Sequence, residues 1–177
     1  MSDSSISVLP FIHAIKDTIN SHADEIAHLD QAIGDGDHLI NLQRGIEALL
    51  KNSEELEQLE FSAALSKTGM TLMSTMGGAS GSLFGSMFVT MGKTAKDKTL
   101  DLTGMTEIFT AGVESIKARG KADIGEKTML DSLIPASTSL QQSVSNEVEL
   151  STALDDMKKA ATEGMESTKD MLATKGR

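Results

Sequence analysis

The sequence predicts an all-α domain of about seven helices. Apolar residues recur at three- and four-residue intervals through seven segments, nothing alternates with period two for long, and no linker, repeat or low-complexity stretch divides the chain. At 177 residues the length is that of a single domain able to bury a core. A hydrophobic fraction of 39%, a charged fraction of 24% and a mean hydropathy of -0.13 belong to a folding globular chain. With five Phe, no Trp or Tyr and eleven Met, aliphatic and thioether side chains must fill the core.

Val8, Phe11, Ile12, Ile15, Ile19, Ala23, Ile26 and Ala27 paint one face of a first helix, from about Leu9 to His28. After the turn-rich stretch 34–37, Leu39, Leu42, Ile46, Leu49 and Leu50 give a second helix, ended by the polar run 51–55. Residues 61–76 read as a third helix, 77–81 as a loop, and 82–91 as a short fourth helix stopped by Gly92 and the lysines after it. Thr103 is the expected N-cap of a fifth helix that stops near Arg119-Gly120. A polar loop over 121–127 leads to a sixth helix, about 128–145, in which Pro135 removes one hydrogen bond and should kink the backbone. The seventh runs from Leu150 to Ala173, with Leu150, Leu154, Met157, Ala161, Met165 and Leu172 on one face.

The charge narrows the function. Twenty-six acidic against sixteen basic residues give -10, which with scarce aromatics argues against a nucleic-acid partner. A small phosphate ligand would need a local cation. Without cysteine there is no disulfide, zinc thiolate or thiol nucleophile. The first seven residues lack a basic region followed by an apolar one, so a cytoplasmic location is expected. Twenty-five residues between Lys67 and Lys93 carry no charge, but fourteen are Gly, Ser or Thr, which fits a buried helix pair and excludes a membrane span.

The informative segment is Asp30-Gln-Ala-Ile-Gly-Asp-Gly-Asp-His-Leu-Ile-Asn41. Three carboxylates fall within eight residues, and two glycines free the backbone so that Asp35 and Asp37 can turn toward one point. Such hard oxygens select Mg²⁺ or Ca²⁺. An EF-hand fails, because Ile40 and Ile46 stand where glycine and glutamate are required. Two readings remain: the acids cap the following helix, or they hold metal where free helix amides attract phosphate. Three aspartates and a nucleoside diphosphate sum to about -6, and two Mg²⁺ would reduce that to about -2, so metal would be obligatory for nucleotide binding.

Gly77-Gly-Ala-Ser-Gly81 serves either as a tight helix corner or as a loop whose small residues let a phosphate reach backbone donors. A Walker A loop is excluded, since Met87 stands where Gly92-Lys-Thr94 needs its leading glycine, and there is no GxGxxG. His13, His22 and His28 read as surface or core residues, whereas His38 follows Asp37 at a helix start and reaches any ligand there. Arg119, Lys121 and Lys127 read as solvated charges near Thr128-Met129.

With Gly34-Asp-Gly-Asp-His38, Asn41, Arg44-Gly45, Gly77–Gly81, Gly125-Glu-Lys-Thr-Met-Leu-Asp131 and Thr174-Lys-Gly-Arg177 in order, nearly the whole chain resembles the DhaL family. That family comprises the nucleotide-binding subunits of phosphotransferase-system dihydroxyacetone kinases. The resemblance implies an eight-helix antiparallel barrel in which Asp30, Asp35 and Asp37 hold two Mg²⁺ ions. It implies that His38, Leu39, Ile40 and Asn41 contact the phosphates of ADP/ATP, that Gly78, Ala79, Ser80 and Gly81 form a phosphate loop, and that Gly120, Thr128, Met129 and Arg177 add nucleotide contacts. Bound ADP would be recharged by a phosphohistidine subunit, DhaM, and the γ-phosphoryl passed to dihydroxyacetone held on DhaK. No side chain would act as a covalent nucleophile, so catalysis would be positioning and charge neutralisation.

The family pattern continues past Lys-Gly-Arg into a segment covering the nucleotide, so the sequence is expected to lack that lid and the eighth helix. The resemblance also leaves room for a homodimer, for a metal-nucleotide regulatory protein that binds a transcription factor, and for the nucleotide domain of a related kinase such as one acting on fatty acids.

Overall fold

The computed structural model describes residues 6–175, all of whose regular elements are helical. Nine α-helices and one 3₁₀ turn are present among these residues, against the seven expected, and they fall into two compact units that meet in sequence at Lys96-Asp97.

The first unit holds α1 (Leu9–Ser21), α2 (Ala23–Ile33), α3 (His38–Lys51), α4 (Ser53–Gln58), α5 (Phe61–Thr75) and α6 (Gly78–Ala95). The expected first helix is therefore two. Ser21 Oγ donates to the Thr18 carbonyl at 2.9 Å, and His22 Nδ1 lies 3.0 Å from the same oxygen, so side chains compete for a helix acceptor where α1 stops. The expected face of α1 is only partly covered: Val8 and Ile12 are buried, Phe11 is 57% exposed. The polar run after α3 forms α4, whose single buried residue, Leu56, pins it to the core.

The uncharged stretch forms the pair α5 and α6, packed backbone to backbone. A Cβ built at Gly69 would lie 2.5 Å from the Gly85 carbonyl oxygen and 2.6 Å from Val89 N, and one at Gly92 would lie 2.6 Å from the Ser62 carbonyl oxygen. Glycine is required there by proximity. The loop expected at 77–81 is also corrected: Gly77 is the N-cap, and Ala79, Ser80 and Gly81 form the first turn of α6, which runs on through Gly92.

The second unit holds α7 (Leu102–Gly120), α8 (Leu130–Ser145) and α9 (Leu150–Ser167), then a 3₁₀ turn, Thr168–Asp170, where the last helix was expected to continue. Asp101, not Thr103, caps α7, accepting from Gly104 N at 2.8 Å. Pro135 lies within α8 without ending it. Having no N–H, Pro135 leaves the Asp131 carbonyl without its helical donor, and Gly164 of α9 packs so close to that oxygen that any Cβ would collide. Ile108, Ile116 and Leu130 are at most 2% exposed at the centre of this unit. No helix among the described residues is long and apolar enough to cross a membrane.

Candidate metal and phosphate site

The three aspartates come together. Asp30 lies in the last turn of α2, Asp35 in the following turn, and Asp37 at the N-cap of α3. Each offers a carboxylate oxygen, and these all lie within 4.8 Å of one another, with Asp30 half-buried and the other two exposed. Gly36 makes the turn at φ 76°, and a Cβ at Gly34 would collide with the Asp30 carboxylate, so the loop closes only around glycine.

The capping reading holds only in part. Asp37 makes no side-chain capping bond, whereas Asp30 reaches across the turn, its Oδ2 accepting from His38 N at 3.0 Å. That bond orients Asp30 and leaves its second oxygen for a cation.

The N-terminus of α6 meets the N-terminus of α3 beside this cluster. Ser80 Oγ lies 3.4 Å from His38 Nδ1. Gly77 packs on buried Asn41, where a Cβ would sit 2.5 Å from Asn41 Oδ1. Arg44 Nη1 donates to the same Asn41 oxygen at 3.1 Å and so fixes the amide. Gly78, at φ 66°, has open space where a side chain would stand. First-turn amides have no helical acceptors, and neither helix carries a side-chain cap of its own. Two electropositive helix ends thus adjoin three carboxylates, an arrangement that accepts a cation and an anion together. The donor set fits Mg²⁺: hard anionic oxygens, with two carboxylates open to solvent so that waters and phosphate oxygens complete the shell. Of the remaining residues expected here, Leu39 lies within α3's first turn and Ile40 is 57% exposed.

The second unit carries the other expected residues. Gly120 ends α7, and Thr128 and Met129 close the loop before α8, Met129 being that helix's N-cap. The loop is tied at several points. Lys117 pairs with Asp123 at 2.8 Å, Asp123 N donates to Glu126 Oε2 at 2.7 Å, and Ile124 N to Asp123 Oδ1 at 2.9 Å. The hydrogen bond from Lys117 holds the Asp123 carboxyl below its usual range, and the Lys117 ammonium is raised by the same bond. Lys127 is no free charge: its Nζ donates to the carbonyls of Lys169, at 3.3 Å, and Met171, at 3.1 Å. Sequence reasoning passed over Asp131, which is 1% exposed and accepts from Gly125 N at 2.5 Å and Thr128 N at 2.8 Å. Arg177 lies outside the described residues.

The DAK2 domain pattern matches residues 32–177. The PEP-dependent dihydroxyacetone kinase 1 ADP-binding subunit DhaL of Listeria innocua is 38% identical over 169 residues, covering 96% of this chain and 80% of that protein. The corresponding subunit of Escherichia coli is 33% identical over 178 residues, covering 100% and 85%. The mouse triokinase/FMN cyclase is 37% identical over 150 residues, which are 84% of this chain and 26% of that protein. The crystal structure of the C. freundii dihydroxyacetone kinase in complex with AMP-PNP and Mg²⁺ is similar in fold, with a TM-score of 0.73 at 24% identity over 95% of this chain, and this chain spans 31% of that one.

Proposed function

This chain belongs to the DAK2 domain family, and on that premise we propose that it is the ADP-binding subunit of a PEP-dependent dihydroxyacetone kinase, of the DhaL type. The observation that carries the reading is the convergence of Asp30, Asp35 and Asp37 within 4.8 Å beside two helix N-termini. Asp30, Asp35 and Asp37 are the residues to hold Mg²⁺, two ions on this reading, and bound Mg²⁺ would supply the positive charge that makes the diphosphate tolerable among carboxylates.

The protein's own contribution is positioning. His38 N–H fixes Asp30, Arg44 fixes Asn41, and the first-turn amides of α3 and α6, with the Ser80 hydroxyl, present donors to phosphate oxygens. Gly78, Ala79 and Gly81 keep that approach free of bulk. No nucleophilic side chain is called for, since the phosphoryl group moves between nucleotide and external acceptors. Gly120, Thr128, Met129 and Arg177 are proposed as further nucleotide contacts; the uncharged Thr128 and the thioether of Met129 suit the nucleoside rather than the phosphates. In the full cycle, bound ADP is recharged by a phosphohistidine subunit of the DhaM type. The γ-phosphoryl passes to dihydroxyacetone on a DhaK-type subunit.

Mass spectrometry of nucleotide released from the purified protein, with calorimetry of ADP in Mg²⁺, tests the assignment. Retained ADP in the wild type and lost Mg²⁺-dependent binding in Asp30→Ala are expected. Undiminished ADP affinity in a folded Asp30→Ala protein would sink it. Phosphotransfer with purified DhaM- and DhaK-type partners then separates a carrier subunit from a nucleotide-dependent regulator.

A further inference from the structure

The loop between α7 and α8 is built more elaborately than a connection between two helices needs. Three of its residues, Lys121, Gly125 and Lys127, have φ of 48°, 88° and 57°. Left-handed backbone is disfavoured at a residue with a side chain, and while Lys121 takes it as the cap that ends α7, Lys127 is held there against its own preference. What holds the segment around Lys127 is visible. Asp131 is 99% removed from solvent, and among the described residues no lysine or arginine pairs with it. Its two carboxylate oxygens divide between Gly125 N and Thr128 N. A buried carboxylate is costly unless its lone pairs are filled, and here the two amides that fill them belong to left-handed Gly125 and to Thr128, directly after left-handed Lys127; Lys121 lies outside this span as the C-cap of α7. The next helix needs no such carboxylate for a cap, because Thr128 Oγ1 already accepts from Leu130 N at 3.1 Å.

We infer that Asp131 is a positioning residue for nucleotide binding: by fixing Gly125 and Thr128 it sets the backbone of Thr128-Met129 in the conformation that receives the nucleoside. This rests on the reading of the chain as an ADP-binding subunit. Asp131→Asn keeps the size but turns an amide NH₂ toward one of two N–H donors, so one loop bond is lost.

Gly125→Ala strains the same loop from its exposed side. A Cβ there meets nothing within 4 Å, but the φ of 88° disfavours it, and the buried core is untouched. The test measures ADP affinity by calorimetry at two Mg²⁺ concentrations, and ligand-free thermal melting, for wild type and both variants as full chains. The expected result is an ADP affinity reduced by about tenfold or more in both variants, with no recovery on raising Mg²⁺. The ligand-free melt of Gly125→Ala should stay near that of the wild type. Wild-type ADP affinity in a folded Asp131→Asn protein overturns the inference, as does wild-type affinity in Gly125→Ala should Asp131→Asn fail to fold. So does a loss in either variant that added Mg²⁺ restores, since that would place the defect at the metal. A wild type that binds no ADP overturns the functional reading itself, whereas binding wild type with binding variants overturns only the role of Asp131.

Discussion

Neutralising Asp37 should make the ligand-free protein more stable while removing its response to Mg²⁺-ADP. With the three carboxylate oxygens all within 4.8 Å, each like-charge pair costs at least about 0.9 kcal/mol in water. Asp37→Asn removes two such pairs, about 1.7 kcal/mol at low ionic strength and about half that at 0.15 M salt. Against this stands a lost interaction with the N-terminal dipole of α3, about 0.3–1 kcal/mol; no side-chain capping bond is lost, because Asp37 makes none. The net gain is about 1 kcal/mol at low salt, or about 2–4 °C in melting midpoint for a chain of this size. The assay is thermal unfolding in EDTA at low and high salt, repeated with Mg²⁺ and ADP. Wild type should be the less stable protein in EDTA and the one that gains from ligand. A variant that melts lower than wild type in low-salt EDTA, or that gains equally from Mg²⁺-ADP, would show that the cluster is not a mutually repelling metal site.

Gly69→Ala places a methyl against the Gly85 carbonyl and the Val89 backbone, which cannot swing aside, so it should destabilise by about 1–3 kcal/mol in denaturant unfolding. Lys127→Met removes the ammonium that holds the carbonyls of Lys169 and Met171, and limited proteolysis should then cut faster around residues 168–175 while the melting midpoint stays close to wild type. The Lys117–Asp123 pair sets a pH window for order in the α7–α8 loop. Asp123, held below its usual range, supports the loop above the unfolded carboxyl pKa and ceases to as pH falls through its folded value; Lys117, raised, supports it below the unfolded lysine pKa and ceases to as pH rises through its own. Proteolytic protection of the loop should therefore be greatest between about pH 4 and pH 10 and should lose that acid limb in Asp123→Asn.

Helix type was legible wherever an apolar period marks it, but the short polar α4, the first turn of α6 and boundaries that depend on side chains bonding to nearby backbone were not. No glycine or proline marks the break at His22; Ser21 and His22 make it by turning onto the Thr18 carbonyl, a contact that periodicity cannot register. Thr103 stands nearest the apolar stripe, but the cap is set by the bond from Gly104 N, which goes to Asp101. The aspartate cluster was legible because its carboxylates sit close together in the chain and glycines punctuate them. Asp131 was not, since an acid in the first turn of a helix is ordinarily a solvated favourable charge, and only its burial marks it as different.

The same contrast explains how an acidic chain could present the proposed anion site. A formal charge of -10 repels phosphate at long range, but screening confines that repulsion to about 8 Å at physiological salt. Within that distance the local arrangement decides. Around α3 and α6 the side-chain charge is negative while the backbone ends are positive, so neither phosphate alone nor protein alone is electrostatically satisfied. On the proposed reading a divalent cation would resolve both at once, which would make affinity for ADP conditional on Mg²⁺ rather than merely improved by it. Replacing the aspartates by lysines would attract phosphate more simply, yet it would bind the anion without the metal and lose that dependence. On the proposed reading the carboxylates would therefore select the metal-bound form of the nucleotide, and the glycines at 34, 36 and 78 leave room for backbone and carboxylate to approach it together.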